Sequence, residues 1–143
     1  MEGLTLRRTF DVSEVRALLT SDERLLAAIG AESPDDVPEM PMTTDHYYLV
    51  AERHGIPVGL FVFHPRAKGV YQGHANVLSA WWGHPITAPA GNAAISWMFE
   101  HTDAHRIVAR VPHECPQVQN YALRIGMREV ASDSIDKYYE ISK

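Results

Sequence analysis

The chain has 143 residues, enough for one domain with one core and too few for two stable ones, so residues 1–143 are expected to form a single domain. With 45% hydrophobic and 22% charged residues it has a globular composition, which excludes wholesale disorder. Its formal charge of −5 is a poor balance for general nucleic-acid binding, which needs a basic face.

One cysteine, Cys115, excludes an internal disulfide and makes the cytoplasm the expected compartment. No apolar run approaches the ~20 residues that cross a bilayer, so no membrane partner is expected. Met1 to Phe10 is too polar for a signal peptide and reads as mature sequence.

Leu4 to Phe10 alternates apolar and polar residues, the pattern of a half-buried strand. Asp11 or Ser13 then caps a helix carrying Val15, Leu18 and Leu19, and Leu25, Leu26 and Ile29 continue a second short helix that stops at Gly30. Ala31 to Pro41, acidic and rich in proline, is a loop, either a lid or a solvated connection. His46–Glu52 and Ile56–His64 read as a hairpin about Arg53-His54-Gly55, and Val70–Trp82 follows the turn Pro65–Gly69 as a third antiparallel strand.

Gly83, Pro85 and Pro89 break the chain before a helix from Ala90 to Thr102. His105–Val111 is a short strand, and Pro116 opens a helix lined by Val118, Ala122 and Ile125 that stops at Gly126. Met127–Ala131 and Lys137–Ile141 close the chain as strands. The order implies an α+β domain with a mixed sheet and helices on its faces.

The entry Ala88-Pro89-Ala90-Gly91-Asn92-Ala93 is the most informative stretch. The first amides of a helix lack intrahelical partners, and small residues at Ala90, Gly91 and Ala93 let an anion approach them. The same composition also suits an ordinary helix start.

The element order and this entry resemble the GCN5-related N-acetyltransferase (GNAT) family and, more loosely, its small bacteriophage-encoded members. The family's pyrophosphate loop follows Gln/Arg-x-x-Gly-x-Gly/Ala; Gly91 and Ala93 match its last two positions, and Ala88 departs from its first. Ile125-Gly126-Met127 resembles the Leu-Gly-Phe-like ending of the family's fourth helix.

The resemblance implies a GNAT-like, mostly antiparallel mixed sheet with helices on both faces. It implies binding of acetyl-CoA as co-substrate and direct transfer of acetyl to an amine, on a small molecule or a protein, with no metal. The pantetheine arm is expected on backbone groups of Val77, Leu78 and Ser79, and the pyrophosphate on Ala90, Gly91, Asn92 and Ala93. Asn120 and Arg124 are further candidates for CoA contacts.

His74 is the candidate base, because an imidazole titrates near neutrality, and Glu52 is an alternative. Family members place an acid tyrosine four residues before the glycine of the fourth helix, where this chain has Ala122. Tyr121 lies about 100° away around the helix, so Ser79, water or another tyrosine must serve. That departure leaves a rival reading open, a non-catalytic CoA-binding or protein-interaction module.

A third reading, a hydrolase using Cys115 with His113, requires a contact that extended neighbours do not ensure. His101 and His105 stand four apart, but the helix is expected to end between them, which argues against a metal site. Trp81 and Trp82 are candidate pocket walls, and Arg106, Arg110 and Arg128 are spare cations of the C-terminal half. A homodimer is compatible with all of this, and the acceptor is not legible beyond a slight steering of cations by the acidic chain.

Overall fold

A computed structural model describes residues 3–143. Seven strands, β1 (Leu4–Arg8), β2 (Tyr47–Arg53), β3 (Ile56–Ala67), β4 (Val70–Val77), β5 (Arg106–Pro112), β6 (Arg128–Ser132) and β7 (Asp136–Ser142), form one sheet in the order β1-β2-β3-β4-β5-β7-β6. Four helices, α1 (Val12–Thr20), α2 (Glu23–Ala28), α3 (Thr87–His101) and α4 (Pro116–Arg124), cover it. This is the expected α+β class.

The central strands explain their own composition. In β2, Tyr48 and Val50 pack with Val15, Leu19 and Leu60 under α1 and α2, while Leu49 and Ala51 pack with Phe61, Phe63, Ile95 and Met98 under α3. A strand buried on both faces loses the polar half of its alternation. Asp11, not Ser13, caps α1; its carboxylate accepts the Ser13 and Glu14 amides.

Every neighbouring pair is antiparallel except β4 and β5. Those two run parallel because α3 forms the crossover between them, as parallel neighbours require. Their pairing covers only Val70, Tyr71 and Gln72 against Arg106, Ile107 and Val108. Beyond it, β4 pairs only with β3 and β5 only with β7, so the sheet opens into a wedge.

The third antiparallel strand ends at Val77, five residues before its expected limit at Trp82. The Leu78 amide still donates to Val58 O, and Ser79–Trp81 then makes a single 3-10 turn. Two indoles hold that turn down, Trp81 Nε1 donating to Pro57 O and Trp82 Nε1 to Val77 O. The following helix starts at Thr87, three residues before the expected Ala90. Pro89 does not break it, because a proline in the first turn forgoes no intrahelical bond.

Candidate active site

The wedge between β4 and β5 is the centre of a cavity of about 690 Å³ that reaches both faces of the sheet. On the α3–α4 side its wall includes Phe63, Gly91, Ile95, Ala109, Tyr121 and Ala122. On the α1–α2 side it includes Leu19, Val37, Met40, Tyr48, Val62 and the histidines His46, His64 and His74. The Ala31–Pro41 loop is the roof of that side. Arg16 pins it by donating to Pro34 O and Val37 O, Val37 is buried, and Asp36 Oδ2 accepts the Glu32 and Ser33 amides.

His74 lies on β4 at the edge of the wedge. Two partners went unnoticed there. His64 on β3 shares a hydrogen bond with it, Nε2 to Nε2 at 3.0 Å, and the rings stack with centroids 5.2 Å apart. His46 stacks in turn on His64 at 6.2 Å. Thr43 donates its hydroxyl to Asp45 Oδ1, so the 2.6 Å contact between Thr43 Oγ1 and His46 Nδ1 makes that nitrogen the donor.

Desolvation, then the field of His64 and of Arg110, lowers the His74 pKa below the ordinary histidine value. Desolvation, then His46 and Arg66, does the same to His64. A lowered pKa favours the neutral imidazole, the state a proton acceptor requires. Among the described residues no group of three or more His, Cys, Asp or Glu side chains is arranged to hold a metal ion.

Ser79 is placed differently from expectation. Its hydroxyl donates to Asp22 Oδ1 at 2.9 Å and its amide to Asp22 Oδ2 at 2.7 Å. Asp22 is also the N-cap of α2, so Ser79 fastens the 3-10 turn to that helix and lines no part of the cavity. Burial pushes the Asp22 carboxyl up, and the donors from Ser79 and Leu25 outweigh it and hold the group low.

Several of the backbone groups expected to meet pantetheine have partners. Val77 O accepts Trp82, the Leu78 amide donates to β3, and the Ser79 amide goes to Asp22. Strand alternation shows which groups do face the wedge. The Leu78 amide points to β3 and the Val77 carbonyl points away from it, so the main-chain groups of Ala75 and Gly73, two and four residues earlier, also point into the opening. Both residues line the cavity.

The amides at the start of α3 have partners of their own. The Ile86 amide donates to His84 Nδ1, that of Thr87 to His84 O and that of Ala90 to Ile86 O, and Pro89 has none. Gly91, Asn92 and Ala93 follow inside the helix, where amides bond to the carbonyl four residues back. The glycine has another purpose. A Cβ on Gly91 would run into the Tyr121 hydroxyl and come within 2.9 Å of Ile125 Cγ2. Gly91 makes room for the Tyr121 hydroxyl.

Tyr121 donates its hydroxyl to Thr87 O at 2.7 Å, and desolvation pushes its pKa above the ordinary phenol value. Arg124 lies over the Tyr121 ring, 5.7 Å from its centroid, with Nη2 3.4 Å from Thr87 Oγ1. The guanidinium thus stands at the start of α3, where the helix dipole also favours an anion. Asn120 is exposed and lines no part of the cavity.

The remaining candidates are engaged elsewhere. Glu52 pairs with Arg7 at 3.0 Å. His113 Nε2 donates to Asp133 O at 2.7 Å and contacts Ser132, so it is committed to the β6–β7 turn rather than to Cys115. His101 stacks on Trp97 and contacts Trp97 O, with α3 ending at that residue. Arg106 and Arg128 pair with Glu140, and Arg110 lies 3.7 Å from Asp136.

No protein-family model and no curated protein matches the chain. Solved structures do match it. An aminoglycoside acetyltransferase in complex with coenzyme A and kanamycin superposes with a TM-score of 0.78 at 12% identity, over 98% of this chain and 95% of the other. A spermidine N-acetyltransferase from Vibrio cholerae, in complex with CoA and spermine, superposes with 0.75 at 17% identity over 98% and 95%. An acetyltransferase of the GNAT family from Bacillus anthracis superposes with 0.75 at 22% identity over 99% and 95%. The chain has the GNAT fold.

Proposed function

We propose that the protein transfers an acetyl group from acetyl-CoA to an amine, with the wedge between β4 and β5 as the reaction site. One observation carries the reading. The cavity passes through the sheet at the parallel seam between β4 and β5 and meets a stacked, hydrogen-bonded pair of histidines there. A long thioester and a separate amine can enter such a channel from opposite faces and meet in the middle, which replaces a bimolecular encounter by a positioned one. The solved structures with coenzyme A in this fold support the choice of donor.

The pantetheine arm lies along β4 and bonds to the exposed main-chain groups of Gly73 and Ala75 as an added strand would. The diphosphate lies toward the start of α3, against Arg124. His74 takes a proton from the acceptor's ammonium, directly or through one water. The free amine attacks the thioester carbonyl, a C–N bond forms, and the C–S bond breaks. Coenzyme A leaves as a thiolate, and the proton that the acetylated nitrogen then sheds passes to that thiolate, directly or through water. A thiol with an ordinary pKa of about 8.5 leaves without a protein acid, so Ala122 in place of a tyrosine does not stop the reaction.

The single cysteine keeps the cytoplasm as the proposed compartment. Among the described residues no helix is long and apolar enough to cross a membrane. A second reading, a CoA-binding module without turnover, draws on Ser79 and the α3 amides being committed to structural bonds. Calorimetry with acetyl-CoA, followed by a thiol-release assay with and without a panel of amines, separates the two. Amine-dependent release of CoA supports transfer; binding without release supports the module.

A further inference from the structure

The acceptor must reach the thioester from the α1–α2 side, because the α3–α4 side is where Arg124 and the start of α3 offer a place for the diphosphate. The chemistry of that vestibule is readable in its walls. Leu19, Val37, Met40, Tyr48 and Val62 are apolar or aromatic and come from α1, the roof loop, β2 and β3. Its ionisable groups are His46, His64, His74, one carboxylate, Glu39, and one guanidinium, Arg110.

Asp22 and Asp45, which are not among the lining residues, are spoken for. Asp22 is bound by Ser79 and the Leu25 amide, and Asp45 by Thr43 and His46. The acidic surplus of the whole chain therefore does not extend to this wall, which overrides the steering argument from net charge. Glu39 is exposed on the roof, and Arg110 faces the same space from β5 with Asp136 3.7 Å from its guanidinium. A ligand with several ammonium groups would leave all but one of them against apolar side chains without a counter-ion, which is unfavourable. A ligand with one amine on an apolar body fits. The amine meets His74 at the wedge, and the body displaces water from the half-buried Met40 and Val62.

Resting on the proposed acetyl transfer, we infer that the acceptor is a primary monoamine carried on an aromatic or aliphatic body, and not a polycation. A small difference in apolar fit is worth about tenfold or more in selectivity, and an unpaired charge adds to it.

The test is a comparison of kcat/KM for phenethylamine, tryptamine, putrescine, spermine and kanamycin at saturating acetyl-CoA, read by thiol release and confirmed by mass of the product. The aromatic monoamines are expected to lead the polyamines and kanamycin by about tenfold or more. In Met40→Glu, which adds a carboxylate to the roof, the gap between phenethylamine and putrescine is expected to narrow. Wild-type preference for spermine or kanamycin overturns the inference and leaves acetyl transfer standing. Failure to acetylate any amine, with acetyl-CoA bound in calorimetry, overturns both the inference and the transfer reading.

Discussion

The two mouths of the channel are built on opposite principles. On the α1–α2 side the polar side chains are titratable, stacked on one another and turned toward open space. On the α3–α4 side the polar groups are consumed. Tyr121 bonds Thr87 O, His84 receives the Ile86 amide, and the Ala90 amide bonds Ile86 O. The first arrangement can change protonation state during a reaction. The second keeps one geometry, so it suits a wall against which a substrate is held. Within a single sheet, the parallel seam separates a chemical side from a scaffolding side.

Substitutions on each side should therefore fail in different ways. The largest effect is expected for His74→Gln, which removes the proton acceptor and leaves the strand intact. Loss of a general base should lower kcat/KM about 100-fold or more near neutrality. The wild-type rate should fall on the acid side only below the ordinary histidine value of about 6.5, because the folded pKa is lowered and the imidazole stays neutral further into acid. That acid limb should vanish in the variant. A parallel loss at every pH would assign His74 a packing role and erase the contrast.

Gly91→Val probes the scaffolding side. The new methyls meet the Tyr121 hydroxyl and Ile125, so we expect about 1–3 kcal/mol of destabilisation in denaturant unfolding. A variant that keeps full stability and loses only acetyl-CoA affinity would restore the phosphate reading of this glycine.

Asp22→Ala removes a helix cap and the anchor of Ser79 together, with an expected cost of about 0.5–2 kcal/mol. Its pH signature follows from the depressed pKa. The stabilisation is fully present above the unfolded carboxyl value of about 3.9 and is lost as pH falls through the lower folded value. The difference in stability between wild type and variant should therefore shrink in acid.

The smallest effect is expected for Tyr121→Phe, which deletes one hydrogen bond, about 0.5–1.5 kcal/mol. Its turnover should match wild type, since that hydroxyl faces Thr87 and not the wedge. A large drop in kcat would make Tyr121 part of the chemistry.

How much of this was legible in the chain follows local physics. The β2–β3 hairpin declares itself through two apolar runs about Arg53-His54-Gly55, and His54 and Gly55 take positive φ values of 51° and 80° there. The stop at Gly126 is just as plain, with φ of 94° after α4. The start of α3 was misplaced because Pro89 looks like a breaker, whereas a first-turn proline costs the helix nothing.

The contact between Gly91 and Tyr121 is not legible in the sequence, because a small residue is silent about its neighbour. Tyr121 lies 30 positions later, and nothing local connects the two. The histidine pair was missed for the same reason, although a trace existed. The register pairs His64 with Gln72 and His74 with Val62, so the two histidines are diagonal neighbours across β3 and β4. β3 runs on to Ala67, and the tight Lys68-Gly69 turn with its bulge between Pro65 and Ala67 sets that diagonal. Ser79 misled because the strand stops early, and only tertiary contact with Asp22 reveals why.

The account turns on what occupies the wedge. Backbone amide shifts recorded by NMR during titration with acetyl-CoA test it most directly. The account predicts that the largest changes cluster on Gly73–Asn76 of β4 and Ala109–Val111 of β5, with β1 and the β6–β7 turn unmoved. Saturable binding that leaves those two strand segments unshifted and perturbs another face of the sheet would contradict it.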